Sequence, residues 1–155
     1  MLPDTVNGLP LHPLTVHAAV VLIPLASLLG IVYAVPPLRN WARWPLALVA
    51  VAAAGATFVS VQAGEAFEEA LGLEGPAQEL IERHEELGKQ LLLMVAGYAV
   101  VAVAAALLAG RGALTVVLSV VLVVGAVAIG VQSYRVGELG SQAVWNPGDA
   151  DYSAD

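Results

Sequence analysis

The sequence predicts an all-α integral membrane protein built as a bundle of four spanning helices. Three observations carry that prediction. The 155 residues are 59% hydrophobic and 12% charged, about half the charge of an ordinary soluble domain. A soluble chain this short has too much surface to stay so apolar. Four charge-free stretches reach the roughly 20 residues a spanning helix needs, and none alternates with the period of a barrel strand.

The first stretch, 14–38, has Pro13 at a favoured first helical position and the pair Pro36-Pro37 at its end. Pro24 lies inside it, where a kink is expected. The following loop holds Arg39, Trp41, Arg43 and Trp44, a basic and aromatic collar of the kind found at membrane interfaces. The second, third and fourth stretches are 45–63, 90–110 and 112–134, rich in Ala and Gly. Small residues let membrane helices approach closely.

Between the second and third stretches the helical pattern continues. Gly72 suits a C-cap and Pro76 a new helix start. Helices 2 and 3 are therefore expected to project beyond the membrane as a hairpin turning at residues 72–75. Residues 1–140 form the transmembrane domain, and 141–155 a short acidic C-terminal tail. No internal repeat is legible.

The short link Gly110-Arg111-Gly112 puts loops 1 and 3 on one side of the membrane. All thirteen acidic residues fall on the other side, with the termini. The three basic residues of loops 1 and 3 have no acidic neighbours, which favours their side as cytoplasmic. The expected location is the bacterial inner (plasma) membrane, with N- and C-termini outside.

The net charge of −7 argues against nucleic acid. The absence of cysteine excludes disulfides, iron–sulfur clusters and thiolate metal sites. The opening residues lack the basic stretch of a cleaved signal peptide. Nothing resembles a nucleophile–base pair or a phosphate loop, so the reading leans away from an enzyme.

The four-helix order brings His12, His17, Glu65, His84 and Glu138 to one face, with Gln132, Tyr134 and Arg135 nearby. Ionisable groups at membrane depth are costly and tend to mark function. Imidazole and carboxylate are nitrogen and oxygen ligands for zinc, copper and iron. The preferred reading is an outer-face metal centre on these five residues, serving a membrane redox or electron-transfer system. The acidic residues Glu68, Glu69, Glu79, Glu82, Glu85 and Glu86 read as a solvated face, with Glu85–Lys89 a helical i,i+4 pair.

A b-type haem is the rival occupant, needing two axial imidazoles with small residues beside them. At about 1.5 Å rise per residue, His17 and His84 are offset by roughly 13 Å along the membrane normal, and His12 and His84 by roughly 6 Å. A permease and a purely structural subunit of a larger complex, or of a homo-oligomer, are further readings. Beyond the lipid bilayer, no partner is identified by the residues alone.

The segments Gly8-Leu-Pro-Leu-His-Pro-Leu-Thr-Val-His17, Gly64-Glu65, His84-Glu-Glu-Leu-Gly88, Val136-Gly-Glu-Leu-Gly140 and Ala143-Val-Trp145 resemble one bacterial family. It comprises small four-helix membrane proteins classed as a domain of unknown function, and the resemblance spans nearly the whole chain. Members of similar appearance occur with Rieske or other redox domains, which implies an electron-transfer or metal-linked role. His12, His17, Glu65 and His84 match the family pattern. The chain departs at Gly137-Glu138-Leu139-Gly140, where similar sequences read Gly-His-Ser-Gly. If that histidine is a ligand elsewhere, Glu138 makes this site more oxygen-rich.

Overall fold

A computed structural model describes residues 5–72 and 75–146. The chain opens with a two-residue antiparallel ladder, β1 (Thr5–Val6) against β2 (Leu9–Pro10). Its turn is Asn7-Gly8, both with positive φ. Asn-Gly is the pair that favours such a turn, because both central residues must be left-handed. Four helices follow: α1 (Leu11–Ala34), α2 (Arg39–Leu71), α3 (Pro76–Leu107) and α4 (Ala113–Trp145). All four are long and apolar enough to cross a membrane.

The helix ends follow local chemistry. α1 stops at Ala34, and Val35 is extended, as the clash with a following proline requires. A 3-10 turn over Pro36–Leu38 leads directly into α2, six residues before the charge-free stretch begins. Arg39 closes α1's C-terminus: its guanidinium donates to the Tyr33 and Ala34 carbonyls at 3.2 and 3.3 Å. It also reaches Ser119 Oγ on α4 at 3.4 Å. Gly72 caps α2 in the left-handed conformation, and α3 starts at Pro76, as expected. Leu73 and Glu74, the centre of the expected turn, lie outside the described residues. α4 runs through Trp145, so the first five residues of the acidic tail are helical; residues 147–155 lie outside the described residues.

Each helix packs on its two neighbours in the cyclic order α1–α2–α3–α4, which places α1 and α3 on one diagonal. The interior is built from small residues, among them Ala26, Ala50, Ala53, Ala102 and Ala105, filled in by Ile23, Leu46, Val95, Leu122 and Ile129. Large apolar side chains such as Leu48, Leu93, Val100 and Val124 point outward. That arrangement suits lipid, where close helix packing rather than hydrophobic exclusion drives association. Two phenols bridge the diagonal. Tyr33 Oη donates to the Ala105 carbonyl at 3.0 Å, and Tyr98 Oη to the Ala26 carbonyl at 3.2 Å.

Candidate functional site: a paired imidazole at one end of the bundle

His12 lies in the first turn of α1 and is half-buried. Its Nδ1 is 2.8 Å from the Ser60 carbonyl on α2. Phe67 stacks on the ring at a centroid distance of 5.9 Å. His84, on α3, is also half-buried, and its Nδ1 is 2.8 Å from the Val136 carbonyl on α4. The two ring centroids are 6.2 Å apart, with the planes at 80°.

A carbonyl oxygen can only accept, so each Nδ1 carries the proton, and each Nε2 keeps its lone pair. In the neutral form of each ring, the site presents two Nε2 lone pairs of the kind that ligate metals.

Glycine admits each ring. A Cβ on Gly64 would stand 3.1 Å from His12 Nδ1, and one on Gly140 only 2.9 Å from His84 Cε1. In a helix the Cβ of residue i leans back toward the N-terminus, over the turn holding the carbonyl of residue i−4. Ser60 is four residues before Gly64, and Val136 four before Gly140. With no Cβ in the way, an imidazole reaches those carbonyls from the side.

The other expected site residues lie differently. His17 is exposed, and its ring N–H donates to the Pro13 carbonyl of its own helix at 2.5 Å. Glu65, exposed on α2, accepts from Lys89 on α3 at 3.3 Å, and Lys89 also bonds Glu85 at 2.6 Å. Glu138 is exposed and, with Tyr134, lines an open groove between α1 and α4 floored by Ile23, Pro24 and Ala126. Among the described residues, no group of three or more His, Cys, Asp or Glu converges. Gln132 is buried, donating to the Leu87 carbonyl at 3.2 Å and accepting from Arg135 at 3.4 Å. Gln78 ties the outer ends of α2 and α3 together through Glu68 at 2.7 Å.

Sequence reasoning set His84 nearer in height to His12 than to His17, yet grouped it with His17 and Glu65. It missed Ser60, Val136 and Phe67. The recurring glycines at 64 and 140 were visible, but only their position against a ring gives them a role.

No curated protein and no solved structure matches the chain. The family described as Predicted membrane protein (DUF2231) matches residues 8–149. With nearly its whole length matched, the chain belongs to this membrane protein family.

Proposed function

We propose that His12 and His84 would hold a b-type haem through their Nε2 atoms, and that the protein is an electron-transfer subunit of a membrane redox system. One observation carries this reading: two imidazoles from diagonal helices, 6.2 Å apart, each with Nδ1 on a backbone carbonyl. A porphyrin would supply four nitrogens of its own and would need few ligands from the protein, whereas a bare structural zinc takes about four protein ligands. Haem iron supplies one-electron chemistry when bound. The chain's own residues hold both imidazoles on backbone carbonyls, and Gly64 and Gly140 leave room for the rings to reach them.

A bare zinc, copper or iron ion is the second reading. It is favoured by Glu65, which directly follows the glycine that touches His12. Such an ion would draw Glu65 away from Lys89. In either case the site lies at the acidic end of the bundle, which we place outside the plasma membrane. The helices α2 and α3, of 33 and 32 residues, exceed the roughly 20 needed to span. Their surplus would project there as a hairpin.

The test is an absorbance scan with metal analysis of detergent-purified protein. A Soret band with one iron per chain supports haem. Bound metal without that band replaces haem with the ion. Protein free of both, after growth with haem precursor and after incubation with each metal, overturns the site.

A further inference from the structure

We infer that the bundle consists of two copies of one two-helix unit, α1–α2 and α3–α4, and that each copy contributes an equivalent half-site. In each half-site an imidazole Nδ1–H rests on a carbonyl laid open by a glycine one turn later, leaving Nε2 for the ligand. Only the identity of that ligand rests on the haem reading.

Two hydrogen bonds and one ring pair join the diagonal helices between residues separated by 72. They are His12 with His84, Ala26 with Tyr98, and Tyr33 with Ala105. A constant separation alone would mean only that α1 and α3 run parallel and in register. The buried faces add more. Ala19, Ile23, Ala26, Gly30 and Tyr33 on α1 correspond at the same separation to Leu91, Val95, Tyr98, Ala102 and Ala105 on α3, all buried.

The second helices agree independently. Ser60 and Gly64 on α2 correspond to Val136 and Gly140 on α4. Continued down the bundle, the same correspondence pairs buried Leu46, Ala50 and Ala53 with buried Leu122, Ala126 and Ile129. The sense of the contacts fixes the symmetry. His12 reaches the helix that follows it in the chain, and so does His84. Only a rotation about the bundle's long axis relates the two units that way. The two imidazoles meet where that axis passes.

Amino-acid identity between the units is almost erased, so the repeat is carried by position. What survives are the two histidines, the two glycines beneath them, identical apolar pairs such as Leu46 with Leu122 and Ala50 with Ala126, and the pattern of burial. A two-fold site of this kind would suit a ligand that two equivalent imidazoles hold together.

The experiment uses the full-length chain in detergent micelles, with histidines labelled in 15N and assigned through His12→Gln, His17→Gln and His84→Gln variants. Long-range proton–nitrogen spectra are recorded where the imidazoles are neutral. We expect the Nδ1–H tautomer at both His12 and His84. Gly64→Ala should disturb the tautomer of His12 and spare His84, and Gly140→Ala the reverse. Groups that orient a metal-bound histidine typically change affinity 10–100-fold, so each variant should lose roughly tenfold or more in haemin affinity, by similar factors. Gly97→Ala, at a helical glycine with nothing near its added methyl, is the control and should change affinity less than about twofold.

The Nε2–H tautomer at either histidine of the parent overturns the half-site. So do glycine variants that fold and leave both tautomers and haemin affinity intact. Where a glycine variant loses its fold, the parent's tautomers decide. A parent that shows both Nδ1–H tautomers yet takes no haemin removes the haem reading and leaves the duplicated half-site standing.

Discussion

The Tyr98 hydroxyl occupies the space that a side chain on Gly30 would need. A Cβ on Gly30 would overlap Tyr98 Oη. The same hydroxyl donates to the carbonyl of Ala26, one turn before Gly30. It is the arrangement seen under both imidazoles, with a phenol as donor. Gly125 on α4 opens the other side of the ring, where a Cβ would stand 2.9 Å from Cδ2.

Gly30→Ala should therefore force the ring away and break the bond to Ala26. Overpacking costs about 1–3 kcal/mol, and a lost buried hydrogen bond about 1 kcal/mol more. Tyr98→Phe removes the clashing oxygen and should cost only about 1 kcal/mol alone. The double variant should be more stable than the sum of the two single losses, because the residues touch. Thermal unfolding of the four proteins in one detergent measures this, and strict additivity would contradict the contact.

Replacing either His12 or His84 by alanine should abolish the bound haem or metal, and replacing both should be little worse than replacing one, since the ligands act as a unit. His17→Ala and Glu138→Gln should keep most of it. His17 bonds its own helix, and Glu138 faces the groove between α1 and α4. Cofactor content per chain after dialysis is the readout. Retention in His84→Ala would refute the pair.

Binding should also fall with pH in one direction. Each Nε2 binds metal only when unprotonated, so acid competes directly with the ligand. Bound protein then takes up fewer protons than free protein, and stability added by the cofactor is present at neutral pH and lost on acidification. Thermal midpoints with and without cofactor, compared across pH, should converge at the acid end. A difference that grows on acidification would exclude imidazole ligation.

Arg39→Lys should destabilise the opposite end of the bundle. The planar guanidinium serves the Tyr33 and Ala34 carbonyls and Ser119 Oγ together. An ammonium is a point donor and cannot span the same three acceptors. A loss of about 1–2 kcal/mol is expected, read as a lower unfolding midpoint, with Arg39→Ala at least as severe. An unchanged midpoint in Arg39→Lys would show that charge alone suffices there.

The chain has no cysteine, so single cysteines report orientation cleanly. Glu82→Cys, exposed near the acidic end of α3, should react with an impermeant thiol reagent on intact cells. Asn40→Cys, exposed beside the basic collar, should not. The reverse pattern would invert the orientation.

Hydropathy by itself determined that this chain forms four spanning helices, because lipid tolerates only long apolar segments with internally satisfied backbones. Local chemistry placed the ends at Ala34, Gly72 and Pro76, where proline clash and left-handed glycine act within a few residues. Chain order gathered the three histidines at one end, and helical rise already set His84 nearer in height to His12 than to His17. The Asn7-Gly8 turn is also legible in the sequence, because Asn-Gly favours left-handed backbone. Tertiary structure decided the rest. Which way a ring points depends on the rotation of each helix about its own axis, and the packing of neighbouring helices sets that rotation. It turned His12 inward onto Ser60 and left His17 exposed. It gave Glu65 to Lys89. The carbonyls of Ser60 and Val136 are invisible to any reading of side chains, since every residue has one. They became binding partners only where Gly64 and Gly140 came to lie beneath an imidazole from the neighbouring helix.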